Sequence, residues 1–544
     1  MGSMAALGAL GLAACGGTST SGGSDSGGSG GAGAVEQVFN FNLGSEPPTA
    51  NSLQATDLFS YYLIRPTFCG LTRLDEDNNV EPDIAEGWDV SDDLLTYTFY
   101  LRDAKWSNGD PVTSNDYLFA WSKLLDPEYG APYSYIFYDI EGAAEYNMGE
   151  ADVSALGISA PDDKTLEVKL VNPIPYFTFL CTQPMFFPIQ QKFFEDCEAQ
   201  GENTYASDPD KILSNGPFMI DTWEHNSKIV LKKNPNYWDV DNIKLETVNL
   251  LEVADNNTNY NMFTAGELDI ASLTSGDLED RAKEAGYDIR HTSTGATYYI
   301  LLKLDSGPLA NANFRKALAY AIDRQSLITN VLRSSSQPAL SFTSPDILTS
   351  DGQEFHDLVG DCFKDADVEG AKAAMETALK ELGLSEPPTL DILIADDDED
   401  RTKAAAFQET WKQTLGVECN ISALPRKARL EKMHNGDYQV AFSAWGPDYD
   451  DPMTYLEMFM SNSSMNETGY ENAEFDELME DAKTTTDQAK RTDDMVQAEK
   501  TLMSDMPIIP LYFAYNDMAV SNKVEGFYSK IFQGENYIHA EKIA

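Results

Sequence analysis

The sequence predicts an α/β protein with more than one domain. Its 544 residues exceed the usual span of a single hydrophobic core, so two or three domains are expected. Hydrophobic residues make up 42% of the chain, which is enough material for cores of that number. In the C-terminal half, strand patterns alternate with helical patterns, an order typical of parallel strands joined by helical crossovers.

The first 14 residues resemble a secretory signal peptide that has been trimmed at its start. Residues 4–14 form an apolar run that is too short to span a bilayer and ends in small side chains, while the usual basic start is missing. The step from Leu12 to Cys15 then matches the processing pattern of bacterial lipoproteins, in which the cysteine thiol receives lipid. A chance cysteine after an apolar stretch is the alternative. We interpret residues 1–14 as a signal peptide and Cys15 as a lipidation site.

Residues 15–35 are predicted to be a flexible tether. From Gly16 to Ala34 the chain is almost entirely Gly, Ser, Thr and Ala, a composition typical of linkers. No later stretch is long and apolar enough for a transmembrane helix. We therefore expect a folded body from residue 36 onward, held by its lipid at the outer face of a bacterial cell membrane.

Strand patterns recur through the first half of the folded part. Residues 95–101 alternate in polarity and run into residues 102–106, which predicts a hairpin-like stretch. The strands predicted in this half are 38–42, 95–101, 165–170 and 227–232.

Helical periodicity becomes clear after residue 367. A predicted helix over 368–382 stops at Gly383, which suits the left-handed position after a helix, and another stops at Gly416. The second helix lies between two strand patterns, which predicts parallel pairing through a helical crossover. In order these segments are the strand 389–394, the helix 402–415 and the strand 417–421.

The loop over 444–452 is the best candidate site from pattern alone. It follows a predicted strand at 438–442 and combines an indole, several carboxylates and two prolines. In α/β sheets, ligands gather outside the carboxyl ends of strands. The alternative is a surface loop with solvated acids, and that is how we interpret the acidic run from Asp396 to Asp400.

Charge and motif content exclude several classes of function. The formal net charge of -51 would repel a polyanion, so nucleic acid is not an expected partner. No cysteine lies in a CxxC pair and the five histidines are scattered, so neither a metal site nor a cofactor is predicted. Five cysteines remain after Cys15, and a Cys181–Cys197 bridge is one open pairing. There is no HExxH motif and no GxSxG nucleophile elbow, because the GxSxG match at 27–31 lies in the Gly/Ser-rich tether, and an enzyme is not expected.

Four ordered blocks identify a resemblance that runs from about residue 36 to the C-terminus. They are 82–88 with 96–113, 214–218 with 234–238, 314–324, and the loop at Asp448 with 461–466. In these blocks the chain resembles the large peptide- and nickel-class solute-binding proteins of ABC importers, and most closely the oligopeptide-binding proteins.

The resemblance implies the type II periplasmic-binding-protein fold, in which two hinged lobes close over a ligand, with an additional domain. By this resemblance the additional domain covers 69–190 and the second lobe 296–515. The first lobe is discontinuous and comprises 36–68, 191–295 and 516–544.

The resemblance also implies a site for a peptide ligand. Asp448 matches an aspartate that pairs with the ligand's α-ammonium group, and Tyr133 matches a tyrosine that supports the amine. The remaining matching positions would hold an extended ligand backbone or line the cleft: Leu58, Phe59 and Ser60; Ala444, Trp445 and Gly446; Ser272, Leu273 and Thr274; and, as weaker candidates, Tyr298 and Tyr512.

Two departures from the family pattern concern the ligand's carboxylate end. Phe442 stands where relatives can carry an arginine for that carboxylate, and Arg426 and Lys427 are candidates to replace it. Ala296 and Gly446 stand where some relatives carry a cleft disulfide.

The expected function is therefore that of a monomeric, lipid-anchored binding protein that delivers short peptides to the permease subunits of an ABC importer. One alternative keeps the fold and changes the ligand to a dipeptide, signalling peptide, oligosaccharide or nickel chelate. A surface hydrolase is the other alternative.

Overall fold

The computed structural model describes residues 35–201 and 204–544, and its folded body runs from Gln37 to Ala544. The predicted signal peptide, Cys15 and nearly all of the predicted tether lie outside the described residues. Among the helices that are described, none combines the length and apolar character needed to cross a bilayer.

A four-stranded mixed sheet joins the start of the body to residues 218–251. Its first strand runs parallel to its neighbour, and the other pairs are antiparallel. In spatial order the strands are Val38–Asn42, Thr247–Leu251, Lys228–Lys233 and Phe218–Glu224. The predicted strand at 38–42 is confirmed, and the one at 227–232 is shifted by a single residue.

A second four-stranded sheet is antiparallel and lies between residues 85 and 169. Its strands, in spatial order, are Ala85–Val90, Thr96–Leu101, Thr165–Lys169 and Ile158–Asp162. The predicted hairpin from 95–101 into 102–106 is wrong, because Thr96–Leu101 pairs with the strand before it and with Thr165–Lys169.

A seven-stranded mixed sheet organises the C-terminal half. Two long antiparallel strands lie beside each other near its middle, Asp288–Leu302 and Ile508–Val520. The other strands are Ile270–Ser272, Gln337–Pro338, Val440–Trp445, Leu390–Ala395 and Cys419–Leu424. Two-stranded ribbons pair Thr72–Leu74 with Val80–Pro82, Val524–Glu525 with Glu541–Lys542, and Tyr528–Lys530 with Gly534–Asn536.

The predicted helical crossover is confirmed. Leu390–Ala395 and Cys419–Leu424 pair in parallel and are joined by a helix over Asp398–Leu415. That helix begins four residues before its predicted start, so the interpretation of Asp396 to Asp400 as a solvated loop is wrong. Asp397 caps the helix by accepting from the backbone of Asp400, and acids in the first turn favour the positive end of the helix dipole.

The α-helices cover the faces of these sheets. They are Leu58–Thr67, Ser114–Leu125, Ala143–Asn147, Phe177–Leu180, Gln191–Glu198, Asn256–Thr264, Gly276–Ala285, Ala312–Tyr320, Arg324–Ser326, Phe355–Val359, Val368–Leu382, Asp398–Leu415, Arg426–His434, Met453–Leu456, Ala473–Thr484 and Gln488–Asp505. A π-helical turn covers Leu327–Leu332, and short 3₁₀ turns cover Ser134–Phe137, Val153–Ala155, Pro184–Phe186, Pro209–Lys211, Val240–Asn242, Gly307–Ala310 and Glu457–Phe459.

Several residues of the sequence blocks join separate parts of the chain. The Trp238 indole nitrogen donates to the buried Asp83 carboxylate at 2.9 Å, which links the first block to the second. In the third block, Arg315 donates to the backbone carbonyls of Leu309 and Met506, and buried Arg324 pairs with Asp365 at 2.9 Å. Buried polar groups need such partners, so these blocks maintain the fold.

The sheets follow the predicted division of the chain except at two places. The strands of the first sheet fall in the predicted first lobe, and those of the second sheet fall in the predicted additional domain. The strands Asp288–Leu302 and Ile508–Val520 instead cross the predicted boundaries at 295/296 and 515/516. At the first of these boundaries Gly295 has a φ of +70°, and the pairing of the two strands shifts register there. The lobe boundaries stay a prediction, with this pair of strands as the connection between the lobes.

All five cysteines in the described part of the chain are free thiols, and four of them are buried. Cys181 and Cys197 are therefore not bridged, and the open pairing from the sequence is not formed.

Candidate ligand-binding site

A cleft with a volume of about 910 Å³ lies where the three predicted parts of the chain meet. Residues from the predicted first lobe, the additional domain and the second lobe all contribute to its walls. Eight of the predicted site residues and sequence departures line it: Leu58, Tyr133, Thr274, Ala296, Tyr298, Gly446, Asp448 and Tyr512. Cavities of this size are in the range used for small-molecule and peptide-sized ligands.

Asp448 contributes to this cleft a carboxylate that has no counter-ion among the described residues. Its backbone N–H donates to the Thr454 hydroxyl oxygen at 3.1 Å, which fixes the loop. Burial, followed by the nearby Glu457 charge, raises the pKa of the Asp448 carboxyl to about 6. Because a buried carboxylate is costly unless it is paired, the site favours a ligand that brings a cation.

Three tyrosines surround Asp448, and the sequence pointed to only one of them. The negative charge of Asp448 acts on Tyr133, the predicted residue, and also on Tyr61 and Tyr135. The Tyr133 and Tyr135 rings lie 6.0 Å apart. Tyr61 lies on the helix Leu58–Thr67, where Phe59 and Tyr62 are also aromatic, so the sequence did not single it out.

The other acids of this loop have structural partners. Asp451 forms a two-pronged ion pair with Arg491 at 2.7 and 2.8 Å, and both side chains are buried. Asp450 accepts from the Leu348 backbone at 2.8 Å, and burial raises its pKa to about 7. Of the three aspartates in this loop, Asp450 and Asp451 therefore hold the loop in place, and Asp448 has a carboxylate that is free to bind a ligand.

The predicted backbone contacts at 444–446 lie on an open strand edge. Val440–Trp445 pairs along its length with Asp288–Leu302, but on its other edge only Val440 and Ala441 have strand partners. Ala444 is exposed there, and Gly446 lines the cleft. Trp445 does not line the cavity, and its indole nitrogen donates to the Thr454 carbonyl at 2.8 Å, so it braces the loop.

The residues predicted on the opposite wall form a helix end. Leu58, Phe59 and Ser60 are the first turn of Leu58–Thr67, and Asp57 caps this helix through the Ser60 backbone N–H. Asp57 suits the start of this helix because aspartate is a strong N-cap. The contact of these three residues with an extended ligand stays a prediction. Leu58 is 62% exposed and lines the cleft, whereas Ser60 is fully buried.

The third predicted segment only touches the cleft at its end. Ser272 closes a short strand against Met518, and the Leu273 backbone donates to the Asp517 carbonyl at 2.7 Å. Thr274 is exposed and lines the cavity. Of this segment, Thr274 is the residue placed to contact a ligand.

At the far side of the cleft a stacked tyrosine pair lies against a buried lysine. The rings of Tyr298 and Tyr512 are 4.7 Å apart and almost parallel. The Lys403 ammonium lies 5.4 Å from the Tyr298 ring centroid and pairs with Asp400 at 2.8 Å and Glu399 at 3.0 Å. No sequence pattern indicated Lys403, because its position on a helix is that of an ordinary surface lysine.

The predicted carboxylate end of the site is rearranged. Phe442 is buried, with its ring centroid 5.7 Å from the Lys403 ammonium, while Arg426 and Lys427 are exposed and do not line the cavity. In their place Asp398 and Glu399 line this end of the cleft. The absent disulfide is consistent with the geometry, since a Cβ on Gly446 would lie 4.0 Å from that of Ala296.

A smaller chamber of about 240 Å³ lies behind the helix Leu58–Thr67. It shares part of its wall with the cleft, and the side chains common to both cavities are Tyr61, Tyr62, Arg65, Gln183, Phe532 and Glu535. The sequence did not indicate this chamber, because its walls come from the helix, the additional domain and the C-terminal tail.

One cluster of metal-type side chains lies beside the long strands. Glu279, His291 and Asp517 bring ligand atoms within 4.8 Å of one another. Each carboxylate already has a protein partner, since Asp517 lies 2.6 Å from the His291 ring nitrogen and Glu279 lies 2.6 Å from the Lys283 ammonium. These contacts account for the cluster without a metal ion, because its carboxylates form ion pairs or hydrogen bonds with neighbouring side chains.

Comparison with known proteins identifies the chain's relatives. Residues 79–467 match the family described as bacterial extracellular solute-binding proteins, family 5 Middle. The oligopeptide-binding protein OppA of Bacillus subtilis is 38% identical over 493 residues, which cover 89% of this chain and 88% of that protein. The dipeptide-binding protein DppE of the same organism is 35% identical and covers 90% and 88%.

The fold is shared with a solved structure. The substrate-binding domain of an oligopeptide ABC transporter from Bacillus anthracis superposes with a TM-score of 0.77 at 33% identity, covering 94% of this chain and 99% of that one. The predicted type II solute-binding fold is confirmed by this likeness, and the relatives are binding proteins and not enzymes.

Proposed function

Because the chain belongs to the bacterial extracellular solute-binding proteins of family 5, we propose that it captures short peptides in extended form and delivers them to an ABC importer. The relatives named for oligopeptide binding support the ligand class, and the Bacillus anthracis neighbour supports the link to an ABC transporter. A peptide of any sequence offers an α-ammonium group and a backbone, so a general receptor should grip these two features.

The observation that carries the proposal is the free carboxylate of Asp448 in the cleft. An α-ammonium group placed there would compensate the buried charge, and Tyr133 stands close enough to contribute its hydroxyl. The open edge at residues 443–445 would accept an extended peptide as an added strand, whereas the Phe442 carbonyl already accepts from Arg429. Side chains of the ligand would then point into the remaining volume, where bridging water costs little.

Isothermal titration calorimetry with peptides of two to five residues tests this function. We expect tight binding of peptides with a free amine, and a loss of about 2–5 kcal/mol in binding free energy after N-acetylation, because the acetyl group removes the partner of a buried charge. Unchanged affinity after acetylation would contradict the role of Asp448. The length series also separates an oligopeptide receptor from a dipeptide receptor, the alternative supported by the likeness to DppE.

We also propose that Cys15 carries the lipid that holds the protein at the outer face of the cell membrane. The support is the step from Leu12 to Cys15 and the Gly/Ser-rich residues after it. Metabolic labelling with radioactive palmitate in a bacterial host should mark the wild-type protein and not the Cys15→Ser variant. A Cys197→Ser variant serves as the control and should be labelled like the wild type.

A further inference from the structure

The wall between the cleft and the inner chamber contains a cation that forms no ion pair within the described part of the chain. Arg65 lies near the end of the helix Leu58–Thr67 and lines both cavities. It is deeply enclosed by protein, yet it keeps partial accessibility, as expected for a side chain that faces internal space. Its position in the helix gave no reason to single it out from the sequence.

The contacts of Arg65 do not compensate its charge. Its Nη2 donates one long hydrogen bond, 3.3 Å, to the Gln183 side-chain oxygen, and its guanidinium carbon lies 5.5 Å from the Tyr61 ring centroid. No ion pair within 4.0 Å joins it to a carboxylate of the described residues. A guanidinium group has five N–H donors in a planar fork, so most of its binding capacity is unused.

Glu535 is the carboxylate whose charge reaches Arg65, but it is a poor counter-ion. It lies beyond ion-pair distance, and burial raises the pKa of its carboxyl, which favours the neutral form. The ion-paired arginine of the same cleft is Arg333, which binds Asp277 at 2.7 Å and Asp280 at 3.0 Å. Of the two arginines in the cleft, Arg65 is therefore the one without an ion pair to a described residue, and Lys530 is a second cation in the lining. A Lys530→Gln variant is accordingly a further control for any preference attributed to Arg65.

Arg65 and Asp448 face the same tyrosine. The charges of both residues act on Tyr61, which belongs to the cleft wall and whose ring centroid lies 5.5 Å from the Arg65 guanidinium carbon. The two groups have opposite sign, line one cavity and lack protein counter-ions among the described residues. A ligand that places an ammonium group at Asp448 therefore occupies the same cavity that Arg65 lines.

We propose that Arg65 forms an anion subsite in the cleft, which binds a carboxylate of the peptide near its amino-terminal end. This inference rests on the proposed peptide-binding function and adds a preference that the family likeness does not assign. The carboxylate has two chemical sources, an acidic side chain in the first residues of a longer peptide or the terminal carboxylate of a short one. Planar two-pronged pairing with a carboxylate is the arrangement that guanidinium favours.

Calorimetry with matched peptides tests the subsite and separates the two sources. In one arm, Ala-based tetrapeptide amides carry Glu or Gln at the first, second or third position. In the other arm, di- and tripeptides carry a free or an amidated carboxyl end. We expect the wild type to prefer the carboxylate over the amide by about tenfold or more in at least one pair, because hydrogen bonds between charged groups are the strong ones.

Three variants assign that preference to a residue. Arg65→Gln should reduce the preference to about twofold or less, while Arg65→Lys should keep part of it because the charge remains. Arg333→Gln should leave the ratio unchanged, since its charge is already paired. Thermal unfolding should show Arg65→Gln at least as stable as the wild type, because removing an unpaired buried charge lowers the desolvation cost.

The inference is overturned if the wild type shows no preference for a carboxylate in either arm, or if the preference survives in Arg65→Gln. Failure of the proposed function has a different signature, in which the wild type binds none of these peptides whatever their charge. Peptides that bind through a free amine without discriminating Glu from Gln would leave the peptide receptor standing and remove the subsite.

Discussion

At the scale of single residues, the site depends on which buried charges have partners and which do not. Asp448 and Asp451 lie three positions apart in one loop, yet one faces the cleft alone and the other is clamped by Arg491. Substitution of each carboxylate by its neutral amide should therefore have effects of opposite sign on stability. The change from Asp to Asn thus distinguishes a carboxylate that serves ligand binding from one that stabilises the fold.

The first prediction concerns Asp448→Asn in the ligand-free protein. Burial raises the pKa of this carboxyl to about 6, so the folded protein binds its proton more tightly than the unfolded chain does. Stability from this group is present below the unfolded pKa and is lost as pH rises towards 6. We expect Asp448→Asn to unfold at higher urea concentration than the wild type at pH 7, by about 2 kcal/mol, and to match it near pH 4. A less stable variant at pH 7 would contradict the unpaired state of the carboxylate.

The same pKa predicts how binding responds to acid. The α-ammonium group of a peptide pairs with the ionised form of Asp448, so affinity should be highest near pH 7 and fall as pH drops through about 6. Near pH 8 the ligand's own α-amine, with a pKa of about 7.7–8.0, begins to lose its proton, which weakens binding in the wild type and in Asp448→Asn alike. Calorimetry of one tripeptide between pH 8 and pH 5 measures this. In Asp448→Asn the fall should be absent or much reduced, and an identical pH profile in both proteins would place the titrating group elsewhere.

The counterpart in the same loop is Asp451→Asn. This change leaves Arg491 as a buried charge without its bidentate partner, which typically costs about 3–5 kcal/mol. Urea unfolding at pH 7 should show a large loss of stability, in contrast to the gain expected for Asp448→Asn. A loss below about 1 kcal/mol would mean that water replaces the carboxylate in solution.

At the scale of elements, the irregular point in the long strand Asp288–Leu302 shapes the cleft. Gly295 has a φ of +70°, its carbonyl accepts from the Tyr455 hydroxyl, and a Cβ there would lie 2.8 Å from the Pro447 ring carbon and closer to Ile531. Pro447 and Ile531 both line the cavity. A larger residue at 295 would therefore push on the wall next to Asp448.

We expect Gly295→Ala to lower both stability and peptide affinity. The left-handed backbone costs about 1–2 kcal/mol for any residue with a Cβ, and the contacts with Pro447 and Ile531 add to it. Gly383→Ala is the matched control, since Gly383 has a φ of +67° with open space around it at the end of a helix. The control should lose stability alone. Equal effects of both variants on calorimetric affinity would show that Gly295 is not part of the cleft wall.

Elements were predictable from the sequence wherever the local signal and the tertiary structure agree. The helix Val368–Leu382 has its predicted bounds because periodicity and a glycine stop coincide. The acidic run before residue 402 was misassigned because aspartates suit a solvated loop and a helix start equally well. The resemblance indicated residues 58–60 as ligand contacts but not their local structure, which is the helix start capped by Asp57.

Some residues of the site were likewise indicated by the sequence, and others were not. The pattern of residues indicated the loop that carries Asp448, the resemblance to the family indicated Asp448 and Tyr133 themselves, and both line the cleft. Arg65, Tyr61 and Lys403 were missed because they sit on helices as ordinary surface residue types, and only packing places them against internal space. Whether a charged side chain has a counter-ion depends on the folded structure, so no sequence pattern can predict it.

At the scale of the whole molecule, a formal net charge of -51 acts on every approaching ligand. Such a field reaches a distance set by the ionic strength, about 30 Å at 0.01 M salt and 10 Å at 0.1 M. Contacts inside the cleft are screened far less, because they are buried and made at short range. The field should therefore govern association rates, whereas Asp448 and Arg65 should govern dissociation rates.

The last prediction uses two amidated tetrapeptides that share their first three residues and end in Lys or Glu. At low salt we expect the Lys peptide to associate faster with this acidic protein, and the difference should shrink to near zero by about 0.5 M salt. Dissociation rates of both peptides should change little over the same range, because the common amino-terminal residues carry the buried contacts. Stopped-flow tryptophan fluorescence provides both rates. An association rate that is independent of ligand charge at low salt would mean that the cleft is shielded from the surface field, and salt-dependent dissociation would place the decisive contacts at its exposed rim.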